Sequence, residues 1–170
     1  YYHELDPALS ERISERAEQL FQRLRELYMR DGHSYFLYDE ELKPVIPWDD
    51  GVKSQTTAPP IFTYSDAFIA KGLVAAACRF DFENVSPFLD YLHNVIAAIQ
   101  NGRFQMEEKR ALSLENARTE PDDFGPRMIL LGAAGLLHRC NLSNEANYAD
   151  QFIDDVLERY YDASSGLLLN

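Results

Sequence analysis

The sequence predicts an all-α fold built from repeated helix pairs, and three observations predict it. Two stretches, 62–78 (FTYSDAFIAKGLVAAAC) and 124–140 (FGPRMILLGAAGLLHRC), are apolar nearly all round after a polar opening, and helices of that kind belong inside a larger body. Three other stretches carry their apolar residues on one side only. The two kinds alternate, with the apolar ones about 60 residues apart. Stacked or closed helical repeats need this arrangement, because a single pair cannot hide its own apolar face.

The first one-faced helix is expected over 7–30, with Asp6 as cap, Pro7 in the first turn, and Ile13, Ala17, Leu20, Phe21, Leu24, Leu27 and Tyr28 on its buried side. Ser86 and Pro87 open the second, which places Phe88, Tyr91, Leu92, Val95, Ile96 and Ile99 together. The third, about 146–160, sets Tyr148, Phe152, Ile153, Val156 and Leu157 among acids. Tyr91-Leu92-x-x-Val95-Ile96 returns as Phe152-Ile153-x-x-Val156-Leu157.

Sliding the two apolar stretches over each other sets Gly72-Leu73 on Gly135-Leu136. Their small residues (Ala70, Gly72, Ala75, Ala76; Gly132, Ala133, Ala134, Gly135) permit close approach. A glycine costs about 1 kcal/mol in a helix interior relative to alanine, so packing rather than propensity explains them. The links read as short β-hairpins: RDGHSYFLYDEELKPV gives a strand Tyr35–Tyr38, an acidic tip and a return, and DASSGLLLN starts the same way. Residues 101–123 form a long polar connection, a length more often functional or mobile than not.

Composition sets the outer limits. The chain has 170 residues, 46% hydrophobic and 26% charged, and 28 acids against 16 bases give a net charge of −12. That balance, without basic clusters, disfavours nucleic acid and anionic membrane as partners. The apolar runs fall short of the roughly 20 residues of a membrane span. Cys78 and Cys140 end apolar stretches and read as reduced thiols, which places the chain in the cytoplasm. A start at Tyr1 and a stop at Asn170 after an apolar run suggest an excerpt of a longer chain.

An inner helix offers its first turn, with free N–H groups and the positive dipole end, to whatever fills the middle of a ring. Thr63, Tyr64, Ser65 and Asp66, with Phe68 a turn deeper, therefore form a candidate pocket wall, although Ser65 and Asp66 also suit helix capping. In the second apolar helix Asp122 and Asp123 are expected to cap and Pro126 to start the helix. Arg127 should project from its first turn toward an acid or a ligand oxygen. His3, His33, His93 and His138 lie far apart without metal-ligand spacing, so no metal and no cofactor is expected. Neither a nucleophile elbow nor a phosphate-cradling glycine loop occurs.

Taken in order, a one-faced helix, SYFLYDEELKPV, FTYSDAFIAKGL, FLDYLHNVIAAI, and GPRMILLGAAGLL followed by a one-faced helix and GLLLN resemble the middle of the N-acylglucosamine 2-epimerase family, which includes the renin-binding proteins. The resemblance runs through Tyr64-Ser65-Asp66-Ala67-Phe68 and Pro126-Arg127-Met128. It implies an (α/α)6 barrel, to which residues 1–170 would contribute a single domain, part of a toroid, with two inner and three outer helices as an incomplete ring. It also implies a small-molecule sugar as partner. The activity implied is aldose 2-epimerisation or aldose–ketose isomerisation by proton transfer beside a carbonyl, performed in the family by paired histidines. One of those lies in an Asn-Pro-Gly-His motif that this sequence lacks, so no histidine here takes the catalytic role, and the catalytic residues are expected outside this stretch. The residues carried over are substrate-binding only: Tyr64, Ser65, Asp66, Phe68, Arg127 and Met128.

Two alternatives remain open on the residues alone. One is a non-catalytic helical-repeat module that binds carbohydrate or protein. The other is an (α/α)6 glycosidase using Asp66 with Asp122 or Asp123 as its two carboxylates. An unclosed ring is expected to associate with itself or with the remaining part of the same barrel. Replacing Asp66 or Arg127 by alanine is expected to weaken sugar binding and to leave the melting temperature nearly unchanged.

Overall fold

The computed structural model describes residues 6–48, 51–55, 61–117, 123–140 and 142–169. Asp122 and His3, named above, lie outside the described residues, as does the side chain of Tyr148.

Helix α1 spans Pro7–Asp31. Asp6 starts it as expected: its carboxylate accepts from the Leu9 amide at 3.1 Å and its carbonyl from Ser10 at 2.9 Å. Gly32 ends it with φ +68°, donating to the Tyr28 carbonyl, a conformation that suits glycine at a helix C-terminus. The hairpin that follows gains a strand: β1 (Leu37–Tyr38), β2 (Pro44–Trp48) and β3 (Gly51–Ser54) form an antiparallel meander with Leu37 opposite Val45 and Val45 opposite Ser54.

Helix α2 covers Tyr64–Phe80 and begins two residues later than the apolar run. Phe62 and Thr63 are instead the short strand β4, parallel to β5 (Phe104–Gln105), with Phe62 opposite Phe104 and Thr63 opposite Gln105. A 3-10 turn at Phe82–Asn84 leads to α3 (Ser86–Gln100), then come α4 (Phe124–Arg139) and α5 (Ser143–Tyr160). The chain closes on the second hairpin, β6 (Tyr161–Asp162) and β7 (Leu167–Leu168). Residues 106–117 of the long polar connection are organised by the fully buried Gln105. Its amide donates to the carbonyls of Glu107 and Arg110, each at 3.0 Å.

The described residues are mostly helical and form two helical layers. Helix α2 packs on α1, α3 and α4, and α4 packs on α5 and α3. Rings join α1 to α3: Phe21 meets Phe88 edge-on at 5.9 Å and Tyr28 stacks on Tyr91 at 4.3 Å. His93 and Glu145, 2.7 Å apart, join α3 to α5. The row α1–α3–α5 thus backs the row α2–α4, and the core between them is built from Phe21, Leu73, Val74, Phe88, Tyr91, Leu92, Val95 and Leu137.

Helices α2 and α4 run parallel, side by side. The Lys71 amine on α2 donates to the Ile129 carbonyl on α4 at 3.1 Å, and a Cβ built on Gly125 would lie 2.9 Å from the Tyr64 hydroxyl. At the far ends the Cys78 thiol hydrogen-bonds with Cys140, and burial together with this neighbour pushes Cys78 up to about 12.

Two sequence expectations change here. The inner helices are not enclosed all round: Phe68, Gly72, Ala75 and Arg79 of α2 are exposed, as are Met128, Gly132 and Arg139 of α4. These positions correspond at a spacing of 60 residues, whereas the Gly72-on-Gly135 alignment spaces them by 63. Glycine identity misled that alignment, because small residues occupy both the packed and the open sides of each helix.

Candidate functional site

The open face of α2 and α4 is where the sequence-derived residues converge, and they divide into those that reach it and those behind it. Phe68 and Met128 reach it, 57% and 55% exposed. They occupy equivalent positions near the start of each helix, one turn inside Tyr64 and Gly125. Tyr64 stands half-buried at the edge, its ring edge-on to Phe104 at 5.2 Å and its hydroxyl donating to the Met106 sulfur at 3.3 Å. Burial, and then the Asp123 charge, raise its pKa above the ordinary tyrosine value.

Ser65 and Asp66 face the opposite way. The Ser65 hydroxyl donates to the Tyr35 carbonyl at 2.8 Å and meets the Ser34 hydroxyl at 3.0 Å. Asp66 is 1% exposed. It completes a capping box with Thr63, accepting from the Thr63 amide at 2.8 Å and hydroxyl at 3.1 Å while the Asp66 amide reaches back to that hydroxyl. Its other oxygen accepts from the Ser34 amide at 2.8 Å and from the Tyr91 hydroxyl, with His33 Nδ1 at 3.5 Å. One carboxylate therefore ties the start of α2 to the loop after α1 and to α3. No oxygen remains facing solvent, which counts against the two-carboxylate glycosidase arrangement.

Arg127 also departs from expectation. It is 6% exposed rather than projecting, and its guanidinium donates to the Asp123 carbonyl at 2.8 Å, four residues back. Asp123 is the N-cap residue of α4, but its side chain makes no capping hydrogen bond. The guanidinium is thus satisfied within the first turn of its own helix, on the backbone that opens it.

The site also contains residues that the sequence reading passed over. Lys71 lies at the α2–α4 seam with its amine 5.2 Å from the centre of the Phe68 ring, and burial lowers its pKa. A Cβ at Gly132 would come within 3.4 Å of that amine. The available signal was that Lys71 is the lone charge between Asp66 and Arg79. The described histidines each stand beside a carboxylate: His33 by Asp66, His93 by Glu145, and His138 by Asp150 at 2.9 Å. Among the described residues no group of three His, Cys, Asp or Glu side chains is placed to hold a metal, and no helix is long and apolar enough to cross a membrane.

The Asp66 cluster predicts alkaline sensitivity. Burial first, then the Asp66 charge and hydrogen bond, push Tyr91 well above the ordinary tyrosine value, and burial raises Tyr28 and Tyr38 too. An unfolded tyrosine loses its proton near pH 10, whereas the folded one keeps it. Above about pH 10 the unfolded state thus binds fewer protons, and stability falls as pH rises. The expected result is a denaturation midpoint insensitive to these groups up to about pH 9 and dropping beyond pH 10. Tyr91→Phe should make that drop shallower, and an unchanged slope would show that Tyr91 is not the group responsible.

No family model, no curated protein and no solved structure matches the chain.

Proposed function

We propose that this chain forms part of the inner surface of a sugar epimerase or isomerase of the N-acylglucosamine 2-epimerase type, with its helix pairs arranged as in an (α/α)6 ring. The observation that carries this reading is the parallel pair α2 and α4, whose open faces repeat every 60 residues and present Phe68 and Met128 at equivalent depth. An exposed aromatic face beside hydrogen-bonding groups suits the apolar C–H side of a sugar ring and its hydroxyls. Tyr64, Phe68 and Met128 contact the sugar in this reading, while Ser65, Asp66 and Arg127 hold the helix starts that carry them. Epimerisation at C2 requires a base to take the proton beside the carbonyl and an acid to return one to the opposite face, and isomerisation returns it to the former carbonyl carbon. None of the described histidines stands in an Asn-Pro-Gly-His motif, so in this reading the proton-transfer groups come from outside these residues.

A second reading, a binding module without chemistry, is favoured by a feature that adjoins the open face at Gly72, Ala75 and Arg79. Between α1 and α2 runs an apolar groove of about 490 Å³ lined by Ile13, Ala17, Leu20, Phe21, Gly72 and Ala76. In the ring reading this groove receives the neighbouring inner helix, and in the module reading it receives a second copy.

The complete protein incubated with aldoses in D2O separates the two. Deuterium appearing at C2, followed by NMR, is the expected result, and Phe68→Ala should reduce it at least tenfold. Sugar binding without exchange favours the module, and no sugar binding at all removes the proposal.

A further inference from the structure

We infer that the open face of α2 and α4 takes a sugar bearing an oxyanion, a carboxylate or a phosphate, with the Lys71 amine as its contact; this inference rests on the sugar-binding reading above.

The first ground is charge segregation. In a chain of net charge −12, the exposed side of α2 and α4 carries Arg79 and Arg139 beside the half-buried Lys71, while Arg127 is buried on the Asp123 carbonyl, His138 is paired with Asp150 of α5, and the single acid of the two helices is Asp66. That acid is buried on the far side of α2, against Ser34 and Tyr91. The acids gather elsewhere, with Glu145, Asp150, Asp154, Asp155 and Glu158 on α5 against Arg159 alone. A cationic face within an acidic molecule concentrates field where a small anion would bind and keeps other acids away from it.

The second ground is the setting of Lys71. Its amine has three donors, of which one is spent on the Ile129 carbonyl at 3.1 Å. Among the described residues it has no acidic partner. The neighbouring Gly132 is exposed and carries no side chain to cover the amine. The Phe68 ring lies 5.2 Å away, which places a stacking surface for a sugar ring beside donors for its anionic substituent. Burial lowers the pKa of this amine, as expected of a partly desolvated cation that lacks a counter-charge. Arg79 and Arg139 lie about two turns further along their helices, about 10 Å by backbone rise, with the Arg139 guanidinium reaching back to 3.6 Å from where a Cβ on Gly135 would sit. They add to the field of this face.

The test titrates the complete protein at low salt with D-glucuronate, glucose 6-phosphate, D-glucose and inorganic phosphate, read by calorimetry. We expect one of the two anionic sugars to bind at least tenfold more tightly than glucose, and which one identifies the oxyanion. Lys71→Met should abolish that preference, while Lys71→Arg should retain most of it. Phe68→Ala should weaken all the sugars alike. Glucose bound as tightly as both anionic sugars, or a preference that survives in Lys71→Met, overturns the inference and leaves the sugar-binding reading standing. Inorganic phosphate bound as tightly as glucose 6-phosphate overturns it as well, since the sugar ring would then contribute nothing. Failure of every sugar to bind removes both.

Discussion

Asp66→Ala should lower the melting temperature by on the order of 10 °C. The substitution removes the acceptor for the Thr63 amide, the Thr63 hydroxyl, the Ser34 amide and the Tyr91 hydroxyl, in a place where the carboxylate is 1% exposed. A buried donor left without a partner costs about 1–3 kcal/mol, and breaking a buried charged network costs about 3–5 kcal/mol. For a chain of this length each kcal/mol moves the melting point by roughly 2–4 °C. This reverses the expectation drawn from the sequence, that Asp66→Ala would leave stability untouched. Differential scanning calorimetry of Asp66→Ala, Tyr91→Phe and the double variant measures it. The two single losses should sum to clearly more than the double loss, because both changes disrupt the same hydrogen bond. Additive losses, or a shift below about 2 °C for Asp66→Ala, would mean that the four donors find other partners.

Phe21→Ala should be comparably severe, by a different mechanism. Phe21 is 2% exposed, edge-on to Phe88 and stacked on Phe80 at 6.4 Å, so it is the point where α1 enters the core shared with α2 and α3. Truncating a buried phenylalanine costs about 3–5 kcal/mol through lost transfer energy and the cavity left behind. Ahead of Phe21 the helix has few other anchors, since Leu9, Ile13 and Leu20 are exposed, whereas its C-terminal end is held by Tyr28 on Tyr91 and by Arg25 on Asp81. Amide hydrogen exchange should therefore accelerate more in α1 than in α3, by local opening as well as by global unfolding. Equal acceleration in both helices would show that α1 does not open separately.

Much of the architecture was legible in the residues themselves. The spacing of Phe88, Tyr91, Leu92, Val95 and Ile96 sets the buried side of α3, and Asp6 with Pro7 fixes the start of α1. Helix α5 begins at Ser143, a few residues before the apolar pattern does, because its first turn is polar and gives no periodic signal. Strands β4 and β5 were illegible for a related reason: two residues carry no alternation, and their pairing joins positions 42 residues apart, Phe62 with Phe104 and Thr63 with Gln105. Within the site, Phe68 was found from its place in the polar-to-apolar opening of its helix, and Met128 came only with the family resemblance. Arg127 was found but aimed wrongly, since its acceptor is a backbone carbonyl that composition cannot reveal. Lys71 was missed because a lone lysine in an apolar run has no pattern around it.

The sequence by itself determined which segments become helices, that two kinds of helix alternate, and that the inner kind is apolar nearly all round after a polar opening. Those properties are local, set by periodicity, caps and charge placement within one or two turns. Only the tertiary structure decided which side of each inner helix stays open, that Gly72 answers to Gly132 rather than to Gly135, and that Asp66 is turned inward. Those outcomes depend on partners distant in the chain, Ser34 and Tyr91 for Asp66 and the Ile129 carbonyl for Lys71. The free energy of burying a carboxylate is decided by the donors that converge on it, and that convergence exists only once the layers have packed.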